Sequence, residues 1–442
     1  MLDINNPHPS HHPSHHPPTP PQHPAICGRC AQICVSYTRN LFYLPRIIFV
    51  MVDVVIVSAA RTPIGKFSGA LASLSSVELG TVAARAAIER AGLSPNSVDQ
   101  AIFGNVLQAN SGQNVARQIA LKSGMATHST AMTINEVCGS GLKAVRVGQA
   151  ALVMGDADIV LVGGTESMSN APHYLPKLRD GFRYGNTEMV DAIFRDGLSD
   201  AFTGEAMGVT AENVAERFNI TREQQDAFAL TSHEKAVKAW NSGAFDAEVV
   251  PVTVHTRRGD IVIDRDESPR SDTSLEKLAH LPSVFLDDGS VTAGNASGIN
   301  DGACALILMR KDDALARGIE YLAEIRGYCE GGIDPDFMGY APKHVIEKLM
   351  KSTSSQLNEM DLVEVNEAFA AQSLAVAQQL QLDSSELNVN GGAIALGHPL
   401  GCSGARILTT LIYALRARKK HKGVAALCVG GGIGVAMQVD VA

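Results

Sequence analysis

Two cysteines, a histidine and an asparagine stand out, each placed beside glycines where an apolar run gives way to a turn or helix. Cys138 lies in Glu136-Val-Cys-Gly-Ser-Gly-Leu-Lys-Ala144. Residues 130–137 read as extended, and Leu142, Val145 and Leu152 fall at helical spacing. Gly139 and Gly141 are expected to let the chain turn tightly into that helix. A thiol at such a junction meets free N–H groups and the positive end of a helix dipole, which favour the thiolate. His398 lies in Asn390-Gly-Gly-Ala-Ile-Ala-Leu-Gly-His-Pro-Leu-Gly-Cys-Ser-Gly404, a glycine-rich loop before another helix. Cys428 ends the apolar run Val424-Ala-Ala-Leu-Cys and is followed by Gly430-Gly-Gly432. Asn366 ends the short apolar run that begins at Asp361.

A lone cysteine is more often a packed core residue. Four such groups at strand ends beside glycines are hard to explain as packing, because strand ends are where open α/β sheets bind ligands. A thiol so placed is a nucleophile, and a histidine and a second thiol near it could move protons.

The elements that must position these groups occur twice. Cys138-Gly-Ser-Gly141 opens a helix, and the strand Ile159-Val-Leu-Val162 follows and ends in Gly163-Gly164. Gly401-Cys-Ser-Gly404 opens a second helix, and Val424-Ala-Ala-Leu-Cys428 follows and ends in glycines. Alternating strands and helices predict an α/β protein with parallel pairs and right-handed crossovers, both halves presenting strand ends to one cleft. Between them, residues from about Ala171 to Ala293 are richer in charge, with a helical stretch at Ala211–Trp240 and Pro, Gly and Asp elsewhere. Such an insertion is expected to form a lid or binding loop domain.

Cys-Gly-Ser-Gly at 138–141, Asn-Glu-Ala-Phe at 366–369, Gly-His-Pro at 397–399 and Cys-Val-Gly-Gly-Gly at 428–432 together resemble the thiolases. Connecting stretches such as Gly163-Gly-Thr-Glu-Ser-Met168 and Gly294-Asn-Ala-Ser-Gly-Ile-Asn-Asp-Gly302 are similar too, and the resemblance runs from about Val52 to the C-terminus. It implies a thiolase fold: two similar βαβ-type halves with mixed five-stranded sheets, layered α-β-α-β-α, plus an inserted loop domain. The implied divisions are 51–170 (completed by 300–321), 171–299 for the loop and coenzyme A domain, and 322–442. By the same resemblance Cys138 is the acylated nucleophile, and His398 activates it and donates to the thioester oxygen. Cys428 is the acid/base for the second acetyl group, and Asn366 positions a water for one oxyanion hole. The backbone N–H groups of Cys138 and Gly430 form the other hole, which would suit a glycine at 430. Ser297 is expected along the pantetheine arm, with Met207, Phe285, Ala368 and Phe369 as tunnel wall and Arg270 facing the phosphate end. Gly204-Glu-Ala-Met-Gly208 and the Cys-Val-Gly-Gly-Gly-Ile ending look most like acetyl-CoA acetyltransferases, with a longer-chain 3-ketoacyl-CoA thiolase as the alternative. A non-catalytic lipid-binding descendant is disfavoured by the full set of four groups. The implied partners are acetyl-CoA, acetoacetyl-CoA and CoA, as substrates; no cofactor or metal is implied, and the family suggests a homotetramer.

Composition agrees with this reading. The chain has 442 residues, 40 of them glycine, few aromatics, and a net charge of −9. No Lys/Arg cluster offers a face for nucleic acid. Eight scattered cysteines fit a reducing compartment better than a disulfide framework, so cytoplasm is expected. Residues 1–50 begin with Pro, His and Ser in place of apolar residues and are expected to be a disordered extension outside the chemistry. Cys27, Cys30 and Cys34 there read as incidental, lacking a second zinc knuckle. Leu41–Val57 is apolar, but Pro45, Arg46 and Asp53 interrupt it, which argues against a membrane span; Val52–Val57 reads instead as the first core strand.

Overall fold

The computed structural model describes residues 52–441. The extension at 1–50, with Cys27, Cys30 and Cys34, lies outside the described residues. The first core strand, β1 (Val54–Arg61), is wholly buried. β2 (Gln100–Gly104), β3 (Thr130–Ile134), β4 (Ile159–Ser167) and β5 (Asn300–Arg310) complete the first half. The second half holds β6 (Ala323–Gly332), β7 (Leu362–Val365), β8 (Lys422–Val429) and β9 (Ile433–Val441).

The order across the sheet is β7-β8-β9-β6-β1-β5-β4-β2-β3, with the short strand Gly65–Lys66 added against β5. In the first half β3, β2 and β4 run parallel, and β4, β5 and β1 alternate in direction. The second half repeats the pattern: β7 and β8 are parallel, and β8, β9 and β6 alternate. The halves meet edge to edge, where Val55 pairs with Glu324 and Ile56 with Ala323.

The expected five strands per half are therefore present in the first half, whereas the second has four and a one-residue bridge, Val363 to Leu387, at the fifth position. The reason is local. Asn388 turns the chain away at φ 46°, and its side chain takes over the pairing. Its Oδ1 accepts from the Val365 N–H and its Nδ2 donates to the Val365 carbonyl, both at 2.9 Å, as a neighbouring strand's peptide would.

Three layers of helix flank these strands. On the outside of the first half lie α1 (Ser76–Arg90) and α2 (Val115–Lys122). Val55 and Val57 of β1 face them, whereas Val54 and Ile56 face the centre, the two-residue period of a strand buried on both faces. The central layer holds α3 (Ser140–Met154) and, from the other half, a helix spanning Leu400–Arg418. Inserted within the first half, between β4 and β5, come α4 (Met207–Phe218) and α5 (Arg222–Asn241), which divide the predicted helical stretch. Asn219 ends α4 at φ 53°, and a capping box between Thr221 and Gln224 starts α5. α6 (Ala341–Ser352) and α7 (Ala370–Leu380) cover the outside of the second half, and the Leu400–Arg418 helix is α8.

Where α3 and α8 cross, the backbones nearly touch. A Cβ on Gly141 would lie 2.6 Å from the Ala405 nitrogen, and one on Gly404 would lie 2.3 Å from the Leu142 nitrogen. Any side chain at either position forces the two halves apart.

Candidate active site

Cys138 stands on the turn between β3 and α3. The turn is tied by Ser140, whose hydroxyl accepts from the Glu136 N–H at 2.8 Å and donates to the Val137 carbonyl at 2.6 Å. The left-handed backbone falls on Val137, at φ 46°, and on neither of the glycines expected to make the turn. A β-branched residue there is strained, as residues beside reacting groups often are. Gly139 and Gly141 are required for close approach instead: a Cβ on Gly139 would lie 2.9 Å from Val429.

The Cys138 sulfur faces His398, Nε2 to Sγ 3.3 Å. On the far side of the ring, Nδ1 lies 2.6 Å from the Ser403 hydroxyl, which itself donates to the Pro399 carbonyl at 2.9 Å. A hydroxyl that spends its proton on a carbonyl can only accept from the ring, so the proton sits on Nδ1 and Nε2 presents a lone pair to the thiol. His398 reaches this position because its backbone N–H donates to the Asn300 Oδ1 at 2.9 Å and Gly397 turns at φ 114°. A side chain at 397 would strike Asn300 at 2.6 Å.

The electrostatics correct one expectation. Burial pushes the Cys138 thiol up to about 12, although the backbone N–H groups of Gly430 and of Cys138 itself pull it down. Burial, followed by the Arg406 charge, lowers His398 to about 3. Desolvation outweighs the helix terminus, so the resting pair is a neutral thiol and a neutral imidazole. Cys428, at the end of β8, is raised well above the ordinary thiol range by burial and next by Cys138.

Asn366 follows β7 and is buried, with its Nδ2 at 3.4 Å and 3.5 Å from the two ring nitrogens of His398. Near-equal distances place the amide against the ring and on neither lone pair, and Asn366 Oδ1 has no protein partner. The Gly430 N–H bears on the Cys138 sulfur, and the need for glycine at 430 is not steric. A Cβ there would make ordinary contacts, 3.5 Å to Val137, whereas the left-handed positions are Gly431 and Gly432.

Beside Cys428 lie Met207, Ala368 and Phe369 in one apolar cluster with Met338. Phe285 meets Phe369 edge-on at 6.2 Å, and the Ser297 N–H donates to the Ala368 carbonyl at 2.9 Å. Five of the six expected binding residues are thereby brought together. Arg270 is outside this cluster: its side chain is exposed, lining a cavity of about 540 Å³ along α5 with Glu234, Lys238 and Ser271.

Sequence reasoning overlooked Ser403, Met338 and two buried glutamates. Glu166 accepts from Asn105, Val106, Leu107 and Gly401, which fixes the start of α8. Glu367 accepts from Ser232, Asn388 and Ile394, which fixes the loop ahead of His398. Both glutamates stood inside motifs already singled out, and Ser403 five residues after His398, where a hydroxyl could reach back to the ring. Met338 carried no local signal.

No helix among the described residues is long and apolar enough to cross a membrane. Comparison with known proteins bears on the family. An acetyl-CoA acetyltransferase of Escherichia coli is 52% identical over 391 residues, 88% of this chain and 99% of that protein. The crystal structure of the Bacillus anthracis acetyl-CoA acetyltransferase superposes with a TM-score of 0.87 at 45% identity, covering 89% of this chain and 99% of the other. Human mitochondrial 3-ketoacyl-CoA thiolase superposes with a TM-score of 0.86 at 42% identity, covering 88% and 99%. The models of the thiolase N-terminal and C-terminal domains match residues 54–312 and 319–441; the chain belongs to the thiolase family.

Proposed function

We propose that this chain is an acetyl-CoA C-acetyltransferase, joining two acetyl-CoA molecules reversibly into acetoacetyl-CoA and CoA. The observation that carries the reading is the lone pair of His398 Nε2, fixed by Ser403, on the Cys138 thiol at 3.3 Å. In the first half-reaction His398 takes the Cys138 proton as the sulfur attacks the acetyl carbonyl, and Cys428 gives its proton to the departing CoA sulfur. In the second, the Cys428 thiolate so formed removes an α-proton from another acetyl-CoA. The carbanion attacks acetyl-Cys138, and His398 returns its proton to the released Cys138 sulfur. The N–H groups of Gly430 and Cys138, and a water held by Asn366 and His398, serve the two oxyanions.

Residues 171–299 would hold the coenzyme A moiety, with Met207, Phe285, Ser297, Ala368 and Phe369 along the arm and Arg270 at the phosphate end. The working form on this reading is a cytoplasmic homotetramer. Support for the short substrate comes from relatives at about half identity that bear the acetyltransferase name. Likeness to a 3-ketoacyl-CoA thiolase keeps a longer-chain enzyme as the second reading. Thiolysis of acetoacetyl-CoA beside a ten-carbon 3-ketoacyl-CoA decides between them. Strong preference for the short substrate is expected, comparable use of the long one favours the degradative reading, and no turnover of either refutes both.

A further inference from the structure

Behind His398 lies a buried arginine whose charge has no direct partner among the described residues. Arg406, on α8, is 1% exposed, and its Nε, Nη1 and Nη2 are all buried with no protein acceptor in hydrogen-bond reach. Five N–H donors are thus short of partners. Ser403, Arg406 and Thr410 stand at i, i+3 and i+7, along one face of α8. The Ser403 hydroxyl holds the His398 ring at one end of this stripe, and the Thr410 hydroxyl donates to Glu248 at 3.2 Å at the other.

Two carboxylate oxygens in the same interior are also short of partners. Glu248 gives one oxygen to Arg61 at 2.6 Å, whereas its Oε2 is buried and unpaired. Glu364 lies on β7 between Val363 and Val365, which face the outer layer, so it faces the central layer with Leu362. It is 2% exposed, and its Oε1 is unpaired. The Arg406 charge acts on Glu364, on Glu248 and on the His398 imidazole. A dry, unpaired guanidinium would be too costly to bury. Donors and acceptors facing one another beyond direct reach are what an internal water bridges.

We propose that Arg406 is a positioning residue: hydrated by internal water shared with Glu364 and Glu248, its fixed charge adds to burial in holding the His398 ring ready to accept the Cys138 proton. The other ionisable groups around the imidazole do not supply this charge. Cys138 and Cys428 are neutral thiols at rest. Glu166 on β4, Asp301 on β5 and Glu367 after β7 are negative when ionised, and each is held by donors of its own. Arg406 is thus the cation that opposes protonation of the ring.

The inference rests on His398 as the base of the proposed reaction, so its test avoids turnover. Hydrogen–deuterium exchange at the His398 Cε1, followed by peptide mass spectrometry across pH, reads the protonation of that ring alone. Burial pushes the Glu364 carboxyl up to about 8 and so leaves it neutral where His398 titrates. In Arg406→Met paired with Glu364→Met, the midpoint should therefore move up by roughly one pH unit or more. A midpoint unchanged from wild type overturns the assignment whatever the variant does to activity, and circular dichroism over the same pH range must show the variant folded, because an unfolded ring titrates near the ordinary value. A high-resolution crystal structure of the wild-type enzyme supplies a second test that needs no variant. Water bridging Arg406 to Glu364 or Glu248 is expected, and a dry guanidinium or a direct Arg406–Glu364 ion pair refutes the hydrated site. Failure to cleave acetoacetyl-CoA would defeat the proposed function yet leave both outcomes readable.

Discussion

Ser403→Ala tests whether the imidazole is set as a base by its second nitrogen. The Ser403 hydroxyl is the acceptor for the His398 Nδ1–H, at 2.6 Å, and both residues are buried. Its other partner is not left stranded, because the Pro399 carbonyl also accepts from the N–H groups of Cys402 and Ser403. The loss therefore falls on the histidine. The nearest remaining polar atom, Asn366 Nδ2 at 3.5 Å, is itself a donor and cannot replace the hydroxyl. Leaving a buried N–H unpaired costs about 1–3 kcal/mol. The ring can relieve that cost by moving its proton to Nε2, which then points a proton at the thiol and can no longer accept one. Either way the acylation barrier rises by about that amount, a slowing of roughly 5- to 150-fold at 1.36 kcal/mol per factor of ten. Rapid-quench measurement of acetyl–Cys138 formation from acetyl-CoA isolates this step, with a thermal melt run alongside. Acylation within about twofold of wild type would refute the tautomer argument. So would a loss of rate matched by a melt showing that the variant is unfolded at the assay temperature.

Three further outcomes are expected. With the thiol raised to about 12 and the imidazole lowered to about 3, alkylation of Cys138 by iodoacetamide should follow the small thiolate fraction. Its rate should rise about tenfold per pH unit from roughly pH 7 to 9.5; a plateau reached below pH 7 would reveal a preformed thiolate–imidazolium pair. Cys428→Ala should still form the acetyl-enzyme but lose condensation by a factor of about 100 or more, measured as acetoacetyl-CoA formation, and near-normal condensation would remove Cys428 from the base role. Glu166→Gln should lower unfolding free energy by roughly 3 kcal/mol, because each carboxylate oxygen accepts two N–H groups and an amide must turn a donor toward one pair. Denaturant unfolding checks it, and a change under about 0.5 kcal/mol would show that the pocket re-forms around the amide.

The contrast between what the residues announced and what only the structure showed has a physical basis. Strand runs, glycine turns and the repeated strand–turn–helix–strand unit are local patterns, so the two halves were legible, as was the cluster of candidate groups at Cys138, Asn366, His398 and Cys428. Contacts joining distant segments were not. Glu166 and Gly401 are 235 residues apart, and Arg61 and Glu248 are 187 apart, yet each pair is in direct hydrogen-bond contact. The thiol shows the same division: the helix terminus that favours a thiolate is a local feature, whereas the burial that pushes Cys138 up is imposed in part by chain from the other half.

The glycines at the centre explain how two sheets with separate strand ends make one site. Gly141 and Gly404 occupy matching places, each inside the first turns of a central helix and each against the other helix's backbone. Close approach there brings the N-terminus of α3, which follows Cys138, to the N-terminus of α8, which follows His398. The 3.3 Å between Sγ and Nε2 therefore depends on a backbone contact that two missing side chains permit. The same contact carries Gly401 onto Glu166, and a Cβ at Gly164 would lie only 1.9 Å from the Gly401 carbonyl. Packing between the halves and the alignment of the Cys138 thiol with the His398 imidazole are thus a single structural requirement, and the glycine-rich motifs that suggested the chemistry are the ones that bring these groups within reach.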